Sequence, residues 1–471
     1  MATPANPAKT CIATAVGKCI PLYRFSMFFD GTYNNMGNIL LYKQKKTQCS
    51  DDSYRSDYSN VAKMFACLQA TDAGNPNATG DHVKFYIQGI GTTTGETDSE
   101  LGGALGWSST GVKDRVDETV ILVVDKLNTV TKDKRAGLGS NKSLKVGLTF
   151  DVFGFSRGAA AARYFIYRMM VEGWVDKSKK DSDPVIAAVL NKQIKQSGYN
   201  LEVSYIDVNF AGLFDTVAHY GLSQKNDVNQ LGLDAINKAR YVVHLTAADE
   251  YRANFSLENI DSVPKDENRI EVSLPGAHSD IGGGYETFVQ EKDSVLFLSE
   301  ATDEKEKKKA AVKEDKKWLT DQGWYQLNEF REDWEPEVVA ASRSNIPNTY
   351  SQIPLRIMVD QAKRKGKLEF KSSSNFNDNK SESELTSDEI SIEQELGKDL
   401  EALYTALYKP DLPGLIGQWK DNPSVIRIGK LRHTYLHFSS NYNKYKGVLE
   451  PNAPNWEDES KKHRKRQIIP G

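Results

Sequence analysis

Runs of β-branched and aromatic residues recur along the chain and are separated by segments with helical spacing. Four or more such residues between turn signals predict a strand. The predicted strands cover residues 22–29, 83–88, 145–153, 203–213, 240–246, 269–274 and 433–438. An amphipathic helix is predicted where apolar residues recur at steps of three and four, at Val112, Val116, Val120, Val123 and Leu127. Strands that alternate with helices predict an α/β fold with a mostly parallel sheet flanked by helices.

The strand predicted at 145–153 runs into a glycine-serine motif. Gly154, Ser156 and Gly158 fit G-x-S-x-G, and alanines fill positions 159–162. A strand, this motif and a helix of small residues, in that order, form the nucleophile elbow of α/β-hydrolases. Its glycines let the backbone turn sharply and hold the serine Oγ above the sheet. We therefore predict Ser156 as a catalytic nucleophile; a strand-to-helix turn without chemistry is the alternative interpretation.

A serine nucleophile needs a base, and the base needs an orienting carboxylate. Among the seven histidines, His278 follows the strand predicted at 269–274 and lies in a loop with four glycines. Asp215 follows the strand predicted at 203–213. Because the carboxyl ends of parallel strands share one edge of a sheet, both side chains are expected beside Ser156. The chain order of serine, aspartate and histidine is that of α/β-hydrolases.

Two other interpretations of the acid and base stay open. An aspartate after a strand often caps the next turn, and a histidine in a glycine loop can bond to backbone alone. A second pair, Asp280 and His437, also keeps the chain order after Ser156, with His437 at the end of the last predicted strand. Spacing along the chain does not separate the two pairs.

An oxyanion hole needs two N–H donors, one of them from the residue after the nucleophile. Arg157 would supply the first. The first predicted strand leads to Gly31 and Thr32, which we predict as the second donor; a plain Asp-Gly turn is the alternative. The carboxylates of Asp30 and Asp280 could hold a divalent cation, but no spaced ligand set supports one, so we expect neither a metal nor a cofactor.

Four segments carry these residues. They are FFDGTYN at 28–34, GFSRGA at 154–159, GLFDTV at 212–217 and GAHSDIGGGY at 276–285. Together they resemble the bacterial type VI secretion lipase effectors of the first phospholipase class, and the resemblance runs from about residue 22 to about residue 362. The arginine of the second segment and the His-Ser-Asp glycine run of the fourth are its most specific parts.

This resemblance implies an α/β-hydrolase domain in which Ser156, Asp215 and His278 form a triad that cleaves acyl esters of membrane phospholipids in a rival cell. It also implies a type VI secretion route, from the cytoplasm of the producer to the periplasm or membrane surface of the target cell. A secretion spike or adaptor protein and a cognate immunity protein are the implied partners. A serine esterase or lipase of the same fold that acts on another ester, and is no effector, is the alternative function.

Composition limits the other classes of function. The chain has 471 residues, of which 39% are hydrophobic, and its formal net charge of −3 argues against nucleic acid as a partner. No run approaches the ~20 apolar residues of a membrane span. Residues 1–18 lack the basic and apolar regions of a secretory signal. Contact with a phospholipid membrane is therefore expected to be peripheral.

The length of the chain exceeds what one plain hydrolase domain needs. We predict a phospholipase catalytic domain over residues 20–363, with a charged insertion at about 290–345, and a C-terminal accessory region over 364–471. That region is expected to be a lid or a membrane-docking arm and to return the last of the strands predicted above. Its leucines and aromatic residues at 400–408 suit either a membrane surface or the core. The basic run at 461–466 suits either anionic lipid or a solvated terminus.

Overall fold

A computed structural model describes most of the chain, in the stretches 11–13, 19–76, 79–99, 111–138, 142–172, 187–218, 231–264, 266–298, 305–331, 338–376, 388–408, 428–442, 452–457 and 464–471. Nine strands lie in the first part of these residues: β1 Cys11–Ala13, β2 Cys19–Phe29, β3 Thr71–Asp72, β4 His82–Ile87, β5 Leu144–Phe155, β6 Leu201–Phe214, β7 Ala239–Ala247, β8 Leu257–Glu258 and β9 Arg269–Leu274. The strands that follow are β10 Phe288–Leu298, β11 Val338–Pro347, β12 Ser373–Phe376, β13 Asp388–Ser391 and β14 Ile468–Ile469.

The central sheet has eight strands within the described residues. Seven of them are parallel and follow the order β3-β4-β2-β5-β6-β7-β9, while β1 pairs antiparallel with the start of β2. All predicted strands except the last lie in this sheet. The α/β fold class with a mostly parallel sheet is therefore confirmed.

Helices cover both faces of the sheet. They are α1 Met36–Lys43, α2 Asp52–Arg55, α3 Asn60–Cys67, α4 Val112–Val130, α5 Lys132–Ala136, α6 Arg157–Met170, α7 Ala188–Gln196, α8 His278–Gly282, α9 Lys305–Asp321, α10 Gln352–Arg364, α11 Lys398–Leu407 and α12 Ile428–Tyr435, with short 3-10 turns at Leu233–Lys238, Leu327–Glu329 and Asn348–Ser351. The apolar positions that predicted a helix are the buried face of α4. None of the described helices is both long and apolar enough to cross a membrane.

The sheet is the middle of three layers. Side chains alternate along a strand, so Met27 and Phe29 of β2 join one buried cluster and Phe28 joins another on the opposite face. The first cluster includes apolar residues of α4 and α6, and the second includes those of α3 and α10. With both faces covered, the carboxyl edge of the parallel strands is the natural place for a functional site.

The prediction of a strand at 433–438 is wrong. Its first residues belong to α12, and the described residues that follow carry no strand until β14. The backbone here bonds to carboxylates instead of a neighbouring strand. The Phe438 N–H donates to Glu291 Oε1 at 2.8 Å, and the His437 N–H donates to Asp280 Oδ2 at 3.1 Å. Since these side chains accept the backbone hydrogen bonds, the apolar run does not need to pair with a neighbouring strand.

The C-terminal region shares the core of the hydrolase domain. Leu400, Leu403 and Leu407 of α11 are buried in the same cluster as α10, so the predicted domain boundary does not separate two cores. β14 pairs with β8, and Arg464 forms a buried ion pair with Asp315 at 2.6 Å. The leucines of α11 therefore pack in the core, and a docking arm is the wrong interpretation of this helix.

The charged insertion contains a strand pair and a helix. β10 and β11 pair antiparallel, and α9 lies between them in sequence. The Arg343 guanidinium of β11 donates to both Glu291 oxygens of β10, at 3.0 and 2.9 Å, and to the Leu436 carbonyl at 3.1 Å. This buried arginine fastens the segment after α12 to the strand pair.

Candidate active site

Ser156 lies in a sharp turn between β5 and α6. Its backbone has φ 59° and ψ −129°, a sparsely populated conformation that costs a residue with a side chain about 1–3 kcal/mol. The turn is tightly packed. A Cβ added to Gly154 would lie 2.5 Å from the Gly158 carbonyl oxygen, and one added to Gly158 would lie 2.5 Å from the Phe29 carbonyl oxygen. Only glycine fits at both positions, so this motif folds as the predicted elbow.

The carboxyl ends of β5, β6 and β7 place an acid beside the elbow. The Ser156 N–H donates to the Phe214 carbonyl at 3.0 Å, and the Asp215 N–H donates to the Leu245 carbonyl at 2.8 Å. Ser156 and Asp215 therefore follow the last paired residues of two adjacent strands. The Asp215 side chain is fully buried.

His278 begins α8 and meets Asp215 across the same edge. Its Nδ1 lies 2.5 Å from Asp215 Oδ2, and both side chains are buried. The imidazole packs against two rings, with centroid distances of 4.7 Å to Phe155 and 5.0 Å to Phe255. Because Phe155 directly precedes Ser156, this packing holds the imidazole next to the elbow. The structure thus brings together the acid and base predicted from the sequence, while their catalytic roles stay predictions.

For both members of this pair, burial and the neighbouring charges shift the pKa in opposite directions. Burial lowers the pKa of His278 below its ordinary value, although the contact with Asp215 acts to raise it. The imidazole is therefore neutral at pH 7. Burial alone would raise the pKa of Asp215, but Arg466 and His278 hold it well below its usual range. A neutral imidazole on an ionised carboxylate is the state that a general base requires.

Two charged residues near His278 were missed by sequence reasoning. The His278 N–H donates to Glu250 Oε2 at 3.2 Å, and Glu250 pairs with Arg252 at 2.9 Å. Burial would raise the pKa of Glu250, but Arg252 lowers it to about 2. The Arg252 guanidinium lies 3.3 Å from the ring centroid of Phe255, which packs on His278. A Glu-x-Arg step in a loop has no distinctive pattern, so no local signal could have identified it.

Two arginines of the basic run at 461–466 lie in buried ion pairs. Arg466 pairs with Asp215 and Arg464 with Asp315, and all four side chains are buried. Both the lipid-binding and the solvated interpretation are therefore wrong for these two arginines. Residues 461–463 lie outside the described residues.

The alternative pair also forms, at Asp280 in the middle of α8. His437 Nδ1 lies 2.7 Å from Asp280 Oδ1, and the His437 ring stacks on Tyr285 at 3.8 Å. Asp280 also accepts the Ala277 N–H at 2.9 Å, next to His278. His437 Nε2 is buried without a hydrogen-bond partner among the described residues. None of these contacts links the pair to β5 or β6, so it is better placed to hold the His278 loop than to serve Ser156.

The predicted oxyanion donors differ in availability. The Gly31 N–H already donates to Asp30 Oδ1 at 2.8 Å, which makes it a poor donor to substrate. Thr32, the next residue, has a buried Oγ1 with no partner in the described part of the chain. Arg157 is the first residue of α6, where helical N–H groups have no partner within the helix. We therefore favour Thr32 over Gly31 as the second donor beside Arg157.

Asp30 supports this loop. Its carboxylate accepts the Ser59 hydroxyl at 2.6 Å and the Tyr86 hydroxyl at 2.6 Å, besides the Gly31 amide. Burial raises the pKa of Asp30 to about 6, although these three bonds oppose the shift. Asp280 is engaged by His437, and no group of three potential ligands that could hold a metal occurs among the described residues.

The sequence matches the family model described as the catalytic domain of Tle1-like type VI secretion phospholipase effectors, over residues 24–302, which is more than half of the chain. Among solved structures, the chain is similar to the Tle1 effector bound to the VgrG spike from the Type 6 secretion system. That similarity has 24% identity and a TM-score of 0.56, and it covers 99% of this chain and 98% of that one. At this identity the similarity supports the fold alone.

A weaker similarity links the chain to an uncharacterized protein from Pseudomonas aeruginosa, with 22% identity, 57% of this chain, 42% of that chain and a TM-score of 0.38. A score this low carries no argument about fold or function. No curated protein matches the sequence.

Proposed function

Because the chain belongs to the family of Tle1-like phospholipase effectors of the type VI secretion system, we propose that it is an antibacterial serine hydrolase of the phospholipase A type. The observation that carries this proposal is the 2.5 Å contact between His278 and Asp215 at the sheet edge where Ser156 turns into α6. The substrate would be an acyl ester of a membrane glycerophospholipid, reached by peripheral contact.

In the proposed reaction each of these residues has one role. His278 Nε2 takes the proton of Ser156 Oγ, and the oxygen attacks the acyl carbonyl. The Arg157 amide and a donor at Thr32 stabilise the negative charge on the carbonyl oxygen. Asp215 keeps the imidazole oriented and stabilises its protonated form. His278 then protonates the leaving lysophospholipid oxygen, and water releases the fatty acid from the serine by the same steps.

The test of this proposal is lipid mass spectrometry on vesicles of phosphatidylethanolamine and phosphatidylglycerol. Free fatty acid and lysophospholipid should appear in equal amounts with the purified protein. Intact phospholipid, together with turnover of a short neutral ester, would instead favour an esterase of another substrate class. Absence of both activities would contradict a hydrolase altogether.

The place of action is a separate part of the proposal. We propose delivery on a secretion spike, neutralisation by an immunity protein and action on the membrane from the periplasm of the target cell. A sensitive bacterium should therefore lose viability when the protein is directed to its periplasm and survive when the same amount stays in its cytoplasm. Equal toxicity in both compartments would contradict the proposed site of action.

The Arg157 side chain offers a test of substrate class. Burial lowers its pKa to about 10, so the guanidinium stays charged at neutral pH. No carboxylate is paired with it in the part of the chain that the structure describes. A cation in this position, directly after the nucleophile, suits the phosphate of a phospholipid.

Arg157→Gln is expected to lower kcat/KM for phosphatidylglycerol vesicles by about tenfold or more, since a hydrogen bond to a charged group contributes about 1.5–3 kcal/mol. The loss on p-nitrophenyl butyrate, which has no phosphate, should be markedly smaller. Arg168→Gln is the matched control, because Arg168 lies at the other end of α6 in ion pairs with Asp117 and Glu172. Equal losses on the two substrates would contradict a phosphate contact.

A further inference from the structure

The carboxylate of Asp215 is held by an arginine that lies 251 residues further along the chain. Arg466 Nη1 donates to Asp215 Oδ1 at 2.6 Å and Nη2 donates to Oδ2 at 2.8 Å. Such a two-pronged pair fixes the plane of a carboxylate as well as its charge. The Ala247 N–H donates to Oδ1 at 2.8 Å, and His278 occupies Oδ2. Asp215 is therefore fully engaged in one orientation.

Backbone contacts fix Arg466 in this place. Its Nε donates to the Phe255 carbonyl at 2.9 Å, and its Nη1 to the Ala247 carbonyl at 3.1 Å. The next residue, Gln467, accepts the Leu257 N–H at 2.9 Å, and β14 then pairs with β8. The strand pair anchors the guanidinium, so its orientation does not depend on Asp215 alone. The same segment positions the Phe255 loop, whose ring packs on His278.

Charges of both signs surround His278. Asp215 contacts its Nδ1, and Glu250 accepts its backbone N–H. Arg466 neutralises the first carboxylate and Arg252 the second. Because the positive charge of Arg466 compensates the negative charge of Asp215, it weakens the attraction of that carboxylate for a proton on the imidazole. Removal of Arg466 would leave His278 beside an uncompensated carboxylate and favour the imidazolium, which cannot act as a base.

We propose that Arg466 is a positioning residue of the active site, which holds Asp215 in the orientation that His278 requires and sets the pH at which hydrolysis begins. The proposal rests on the proposed function, in which Ser156, Asp215 and His278 carry out ester hydrolysis. It makes the C-terminal segment 464–471 a component of the catalytic site, although this segment is the furthest in sequence from the elbow.

The test uses the full-length protein and the pH dependence of kcat/KM for p-nitrophenyl butyrate. Arg466→Gln should lower kcat by about tenfold or more. The acidic limb of its pH profile, where activity rises with pH, should move to higher pH by about one unit. Arg466→Lys keeps the positive charge but cannot form the two-pronged pair with the carboxylate. It should therefore lower kcat while its acidic limb stays near that of the wild type.

Arg464→Gln is the matched control. It breaks an equally buried two-pronged pair, with Asp315 at 2.6 and 3.2 Å, in the same segment. It should lower the melting temperature and leave the acidic limb unmoved. An unmoved limb in Arg466→Gln, with a loss of kcat no larger than in Arg464→Gln, would reduce Arg466 to a structural role.

Folding failure does not remove the test. Where Arg466→Gln does not fold, Arg466→Lys decides. A loss of kcat larger than in Arg464→Gln, with the acidic limb near the wild-type position, supports the proposal; a kcat no lower than in Arg464→Gln, or a limb displaced upward by about one unit, overturns it. Failure of the proposed function would look different, because the wild-type protein itself would then neither turn over the ester nor react with a fluorophosphonate.

Discussion

Ser156→Ala is expected to abolish ester and phospholipid hydrolysis, with a loss of about 10³- to 10⁶-fold in kcat, because a triad acts as a unit and alanine has no nucleophile. The variant should fold like the wild type, since alanine retains the backbone and the packing of the elbow. The measurements are kcat on p-nitrophenyl butyrate and on vesicles, fluorophosphonate labelling followed by mass spectrometry, and thermal melting.

Ser204→Ala is the control for this substitution. Ser204 lies near the amino end of β6, where its hydroxyl donates to the Val146 carbonyl at 3.3 Å, far along the strand from Asp215. It should keep full activity and labelling. Labelling that persists in Ser156→Ala would show that another serine carries out the chemistry and would remove the basis of the assignment.

The parallel sheet could be predicted because its strands are rich in β-branched and aromatic residues. Strands buried on both faces read in this way, and β2, β5, β6 and β7 are of this kind. The run at 433–438 looks the same in sequence, yet its backbone donors bond to Asp280 and Glu291. Composition cannot tell an apolar segment that joins a ladder from one that is fixed by distant carboxylates.

The site could be predicted as far as it depends on local geometry. The glycines on either side of Ser156 predict the elbow. The strands that precede Asp215 and His278 in sequence predict that both side chains lie at the same edge of the sheet. Arg466 could not be found in this way, because nothing near position 466 encodes a partner at position 215. Its basic neighbours instead suggested a solvated surface, and only the fold shows that the guanidinium is buried.

The two histidine-aspartate pairs should respond very differently to the same substitution. His278→Asn is expected to lower kcat by about 10³-fold or more, because the amide can still donate to Asp215 but cannot take the proton of Ser156. Asp215→Asn should lose on the order of 10⁴-fold, since an amide in place of the acid favours the wrong imidazole tautomer. Both losses should appear equally on vesicles and on p-nitrophenyl butyrate.

His437→Asn and Asp280→Asn are the matched controls at the second pair. Each weakens a buried hydrogen bond that holds the loop of His278, which should cost about 1–3 kcal/mol of stability and lower the melting temperature. Below that temperature the folded variants should keep most of their activity, because neither side chain is placed to contact Ser156. Activity near background in His437→Asn, with His278→Asn still active, would transfer the base to His437 and the orienting acid to Asp280. Loss of activity in both histidine variants without loss of fold would mean that the second pair aligns the first, through the short helix α8 that carries both His278 and Asp280.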